Sequence, residues 1–226
     1  PKDMEFYLKM ARAPLKTSTL VAFGSTRKAH TQASLDPNLK ALVKSQARAV
    51  AIFGKTWDLH ITDVLKTTLE ENLEMIRDTV SFLVSNKLEV FYDAEHFFDA
   101  YRDNKEYSLK CLLTAQEAGA RAVVLCDTNG GTLTSQVSRA VAEIRPQIKI
   151  LLGIHCHNDA DLAVANSIAA VEAGADVVQG TINGYGERFG NANLVSIVPD
   201  LMLKMDHEAI PRRGLKDLRE LARLVN

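Results

Sequence analysis

Two histidines separated by one residue, His155-Cys156-His157, run directly into Asn158-Asp159. The apolar stretch before them, Ile148 to Ile154, has the composition of a β-strand, and residues two apart on a strand project from the same side. His155 and His157 would then turn two imidazoles toward one divalent ion, whereas neighbouring residues would diverge. The same spacing also suits histidines that are merely satisfied polar groups at a strand end. A second polar cluster favours the metal: Thr181-Ile182-Asn183-Gly184-Tyr185-Gly186-Glu187-Arg188-Phe189-Gly190-Asn191. Its glycines pack poorly but let backbone and side chains approach a ligand closely. The plain alternative is a surface loop. Asn191 offers an amide oxygen as a third ligand, and such mixed nitrogen and oxygen donors suit Mn²⁺, Zn²⁺ or Mg²⁺ without choosing among them. Glu187 and Arg188 are expected to form an ion pair that stiffens the loop, with action on substrate as the alternative.

Other polar groups fall after apolar runs. Tyr92-Asp93-Ala94-Glu95-His96 offers a carboxylate, Glu95, and Cys126-Asp127-Thr128-Asn129-Gly130-Gly131 offers the Thr128 hydroxyl, suited to a substrate carboxylate. Asp127 and Thr128 could equally form a turn and helix cap. The roles of Gly24-Ser25-Thr26 and of Gly54 to His60 stay open.

These groups need a frame. Short β-branched runs at 18–24, 48–54, 88–93, 121–126, 148–155 and 176–182 read as strands, and their near-continuous hydrophobicity implies cover on both faces, as in a parallel sheet. Helical periodicity predicts helices over 67–86, 106–118, 134–145 and 159–173, the first opened by a capping-box pattern at Thr68 and Glu71. Glu-Ala-Gly-Ala occurs at 117–120 and at 172–175, each time closing a helix just before a strand. Strand and helix in regular alternation suit an α/β fold, a TIM (β/α)₈ barrel present as about six of its eight units. A doubly wound open sheet would instead advertise a Gly-rich turn after its first strand, and no G-x-G-x-x-G occurs. Residues 1–211 are expected to form this partial catalytic barrel, with 212–226 the start of a C-terminal helical linker.

Composition excludes several classes. Lysine plus arginine (27) nearly balances aspartate plus glutamate (28), so no charge excess points to nucleic acid or to an anionic membrane. Three cysteines, Cys111, Cys126 and Cys156, are too few and too scattered for a disulfide scaffold and fit a reducing cytoplasm. No apolar run reaches the roughly 18 residues of a membrane span, and no signal-peptide pattern is present. The sequence opens at Pro1 without a methionine, which fits a fragment.

Phe53 to Asp58 (FGKTWD), Tyr92 to Phe98 (YDAEHFF), Leu125 to Gly131 (LCDTNGG), Gly153 to Asp159 (GIHCHND) and Gln179 to Leu194 (QGTINGYGERFGNANL) together resemble the citramalate synthase branch of the isopropylmalate synthase/homocitrate synthase family. The resemblance runs over essentially the whole chain. It implies a TIM barrel, with His155 and His157 as ligands of a divalent metal and Asn191 as a ligand or near one. Glu95 and Thr128 would line the keto-acid pocket, with Glu95 the candidate catalytic residue. The family's first-strand motif, Asp-Thr-Thr-Leu-Arg-Asp-Gly, supplies a further metal aspartate and a catalytic arginine and is absent here, so the sequence is expected to start just before the third barrel strand.

The implied reaction is a Claisen-type condensation of acetyl-CoA with a 2-keto acid, pyruvate first, giving citramalate in isoleucine biosynthesis, by a cytoplasmic enzyme that is a homodimer at full length. A 2-isopropylmalate synthase acting on 2-ketoisovalerate is one alternative. Another is a carbon–carbon lyase of the hydroxymethylglutaryl-CoA type, whose relatives share His-x-His but lack the Gly-Glu-Arg-x-Gly-Asn loop. A non-catalytic domain on a degenerate barrel is disfavoured by the intact motifs. Residues 1–226 alone are expected to be inactive and to associate through unpaired sheet edges.

Overall fold

The computed structural model describes residues 2–10, 12, 13 and 15–226, so the reading of Pro1 lies outside the described residues. Six strands lie in one sheet in sequence order: β1 (Val21–Ser25), β2 (Ala49–Lys55), β3 (Glu89–Glu95), β4 (Ala122–Asp127), β5 (Leu151–Cys156) and β6 (Val177–Gln179). The pairs β1–β2, β2–β3 and β5–β6 are parallel, and helices follow the strands, as the alternating pattern predicts. By contacts the chain divides into two compact units, 1–124 with 148–151, and 125–147 with 152–226.

In the first unit, α1 (Lys2–Met10) and α2 (Pro37–Lys44) precede α3 (Leu69–Ser85), α4 (Phe97–Asp103) and α5 (Lys105–Glu117). Helix α2 has a local reason: Asp36 accepts from the backbone N–H groups of Asn38 and Leu39, and Pro37 sits in the first turn. Helix α3 starts where Thr68 accepts from the Glu71 N–H. Only half of the expected capping box forms, because the Glu71 carboxylate turns instead to Arg27 and to the His30 N–H. Met75, Ile76, Val80 and Leu83 of α3 are buried at three- and four-residue spacing, over a core shared with Val50, Ile52, Val90 and Tyr92.

In the second unit, α6 (Thr134–Ile144), α7 (Ala163–Glu172), α8 (Leu194–Leu203) and α9 (Leu218–Val225) accompany β5 and β6. Both Glu-Ala-Gly-Ala steps are Schellman caps, one in each unit. Gly119 and Gly174 take φ of 101° and 109°, and the following alanines donate to the carbonyls of Ala115 and Ala170. Several boundaries differ from the predicted ones; β1 starts at Val21 rather than 18, and three others show what competes for the chain. β5 starts at Leu151, since a 3₁₀ turn over Arg145–Gln147 takes up the preceding chain. α7 starts at Ala163 rather than 159, because the Asn158 side chain accepts from the Ala163 N–H and Asp161 lies at positive φ. β6 stops at Gln179, where the Thr181 N–H turns to the Ala192 carbonyl and the following loop takes over the pairing.

Candidate functional site

In the second unit, Leu152, Ile154 and Cys156 of β5 are buried, and His155 alternates to the half-buried face. The loop 183–193 then lies along the strand end as an antiparallel partner. Asn158 N–H donates to the Gly190 carbonyl, Ala192 N–H to the Cys156 carbonyl, and His157 bridges Asn191. This pairing brings the two predicted motifs together. The rings of His155 and His157 sit 5.0 Å apart. Glycine is needed where the loop closes on itself: Gly190 has φ of 97°, and a Cβ on Gly186 would overlap the Asn191 amide.

The donor set is neutral and partly unused. Burial first, and then the neighbouring His157, pull the His155 imidazole down to about 4, while burial and then Arg188 lower that of His157. Both rings are therefore neutral near pH 7 and keep a lone pair. Asn191 donates its amide N–H to the Tyr185 carbonyl, and this aims its oxygen away. The Asn191 Oδ1 and the His155 Nδ1 are buried acceptors without a hydrogen-bond partner, which is what a cation site leaves when its acceptors are reserved. The residues thus fit a divalent ion. Among the described residues no cluster of three or more His, Cys, Asp or Glu side chains could hold a metal, so the candidate set is two imidazoles and an amide.

Arg188 organises the loop. The expected pair with Glu187, its largely exposed neighbour, forms at 3.5 Å, and the guanidinium also grips Asp159 more closely, through Nε (2.7 Å) and Nη2 (2.9 Å). Nη2 also donates to the Thr128 carbonyl and to His157 Nδ1, each at 2.7 Å. Positive charge is thereby already placed against that ring. Thr128 follows β4 in the turn, half-buried. Asp127 is turn-building: its carboxylate accepts from the Thr132 hydroxyl at 2.7 Å and from the Thr132 N–H at 3.3 Å.

In the first unit, Glu95 ends β3 and pairs with Lys55 at 2.6 Å, the residue in register with it on β2. The stretch Gly54 to His60, left without a role by its sequence, becomes legible. A Cβ on Gly54 would press on the Tyr92 ring. Trp57 Nε1 donates to Asp103, Asn104 donates to Asp58, and the His60 ring meets His96 edge-on at 4.4 Å. Lys55 and Asp159 lie inside the motifs FGKTWD and GIHCHND but had no role of their own from the sequence; the structure pairs them with Glu95 and Arg188.

These features define an α/β domain whose polar residues gather at the C-terminal ends of parallel strands, and the chain belongs to the HMGL-like family, whose model matches residues 5–225. It is 52% identical over 226 residues to the (R)-citramalate synthase of Aquifex aeolicus, covering all of this chain and 43% of that protein. To a probable 2-isopropylmalate synthase of Methanopyrus kandleri it is 37% identical, over 83% of this chain and 37% of that one. The HMG-CoA lyase of Brucella melitensis shares the fold, with a TM-score of 0.79 at 16% identity, over 99% of this chain and 78% of that one. The chain thus spans less than half the length of the curated relatives it matches.

Proposed function

We propose that the protein, at its natural length, condenses acetyl-CoA with pyruvate to give citramalate. The observation that carries this reading is the identity to a citramalate synthase along the whole chain, well above that to the isopropylmalate synthase relative. His155, His157 and Asn191 would hold a divalent ion, Mn²⁺, Mg²⁺ or Zn²⁺, through neutral donors of which two are unpartnered acceptors. Such an ion, when bound, supplies Lewis acidity to a ketone oxygen.

The chain's own groups do the rest. Arg188 fixes the orientation of the His157 ring and ties it to Asp159 and to the Thr128 carbonyl. The Thr128 hydroxyl donates to the keto acid's carboxylate, and Glu95 contacts the keto acid as the catalytic carboxylate. Residues 1–211 form the catalytic part, and 212–226 begin a helical linker. That segment holds the loop from outside: Asn183 donates to the Ala222 carbonyl and the Tyr185 hydroxyl to Asn226. The three buried cysteines, none of them in a disulfide, support a cytoplasmic setting, and among the described residues no helix is long and apolar enough to cross a membrane. The full-length enzyme is a homodimer in this reading.

Thiol release of CoA by the natural-length protein, with pyruvate and with 2-ketoisovalerate, tests the reading. A pocket sized for pyruvate should separate the two by about 10- to 200-fold in kcat/KM. Equal or better turnover of 2-ketoisovalerate would make it an isopropylmalate synthase, and cleavage of hydroxymethylglutaryl-CoA would make it a lyase.

A further inference from the structure

We propose that Lys55 is a positioning residue for Glu95, and that the Gly54–Asp58 segment with Asn72 and Tyr107 is the frame that holds it. The proposal rests on the reading of Glu95 as a substrate-contacting carboxylate. Lys55 and Glu95 are register partners at the ends of adjacent parallel strands, so their side chains leave the sheet side by side. The pair is short, 2.6 Å, and mostly withdrawn from solvent, at 18% and 21% exposure, where a salt bridge is less screened than on an open surface.

Lys55 is itself anchored from below. Its carbonyl accepts from Asn72 Nδ2 at 2.8 Å, and Asn72 is fully buried. The same amide reaches the Tyr107 hydroxyl at 3.0 Å, which donates to the Leu69 carbonyl at 2.8 Å. Tyr107 N–H is held by Asn104, and Asn104 by Asp58 at 2.6 Å. A continuous polar chain therefore runs from Asp58 through Asn104, Tyr107 and Asn72 to the backbone of Lys55. Gly54 lets the strand approach the Tyr92 ring just before it. A buried network of this kind fixes geometry, and a lysine used only for solubility would need none of it.

A Glu95 carboxylate without its ammonium partner would have one oxygen released and a wider range of rotamers. It would meet the keto acid in the productive orientation less often. Lys55 acts through Glu95, so removing both should cost no more than removing Glu95.

The test uses the protein at its natural length with K55M, K55R, E95Q and K55M/E95Q. K55M should lose on the order of 10- to 100-fold in kcat/KM for pyruvate, with the KM for acetyl-CoA, metal content and melting temperature unchanged. K55R should recover most of the loss. The double variant should fall within about twofold of E95Q. A K55M enzyme indistinguishable from wild type, or losses that multiply in the double variant, would overturn the proposal while leaving citramalate synthesis standing. Wild-type protein that releases no CoA with any keto acid overturns the functional reading and this proposal with it. If K55M fails to fold, the coupling is read from K55Q, E95Q and K55Q/E95Q, with losses that multiply again counting against it.

Discussion

The end of β2 and β3 in the first unit and the end of β5 with its loop in the second are both polar, but they spend their hydrogen bonds differently. Around Lys55 charge meets charge, and the supporting network ties Asp58, Asn104, Tyr107 and Asn72 to one another. Around His155 the donors are neutral, and two buried acceptors face nothing in the protein. A fold tolerates an unsatisfied buried acceptor only at a cost of about 1–3 kcal/mol each. The first region keeps such atoms as well, Asp58 Oδ1, Asn72 Oδ1 and His60 Nδ1, so what separates the two regions is the charge of the groups that meet: a lysine–glutamate pair in one, and neutral metal-type donors on one strand end and its loop in the other.

The comparison breaks most sharply at the histidines. Replacing both His155 and His157 by alanine should abolish metal retention by elemental analysis, while the melting temperature of the metal-free protein changes little, because both side chains are only half-buried. Unchanged metal stoichiometry would remove the ligand assignment. Gly186→Ala comes next. The new methyl overlaps the Asn191 amide, so Asn191 must move and metal affinity should fall on the order of 10- to 100-fold. Gly131→Ala has open space around its methyl and serves as the matched control, with affinity expected to stay within about twofold. Equal effects of the two glycine changes would mean that the loop does not position Asn191.

In the other region, Asn72→Ala removes the amide that the Lys55 carbonyl and the Tyr107 hydroxyl share, while Tyr107 keeps its bond to the Leu69 carbonyl. It should cost about 1–3 kcal/mol of stability in urea unfolding, the range for a buried polar group that loses its partner. A loss below about 0.5 kcal/mol would show that water replaces the amide and that the network is dispensable.

Much of this was legible in the sequence for identifiable reasons. The strands announced themselves because parallel strands covered on both faces are almost uninterruptedly apolar, and the two Gly-terminated helix ends because only glycine readily takes φ near 100°. The facing of His155 and His157 followed from the two-residue period of a strand. What stayed hidden depends on long-range pairing. Besides the expected Glu187, Arg188 pairs with Asp159, 29 residues away, and Glu95 pairs with Lys55, set by sheet register. Helix α2 was missed although Asp36-Pro37 is a start signal, because its eight residues carry too little periodicity to stand out. The boundaries of β6 and α7 moved because the loop and Asn158 claim the backbone groups those elements would have used.

The smallest effect concerns acid stability in the first unit, at the first turn of α3. Glu71 Oε1 accepts from the His30 N–H at 2.8 Å and from the Arg27 guanidinium at 2.7 Å, and these bonds, the backbone one first, hold its carboxyl below the usual range. Arg27 is nearly buried and also reaches Asp78. A carboxyl whose folded value is depressed stabilises the fold fully above its ordinary value near 4.5, and the contribution is lost as pH falls from there through the folded value. The wild-type melting temperature should therefore drop on acidification below that point, and Glu71→Gln should flatten the drop. At neutral pH the same variant should be about 1–2 kcal/mol less stable, because Arg27 keeps Asp78 and the glutamine can still accept from His30. The two curves should converge at low pH, where wild-type Glu71 is protonated and no longer differs in charge from glutamine. Parallel curves down to the acid limit would show that the Arg27–Glu71 contact carries no pH-linked stability, and that the acid sensitivity of this unit lies with other carboxylates.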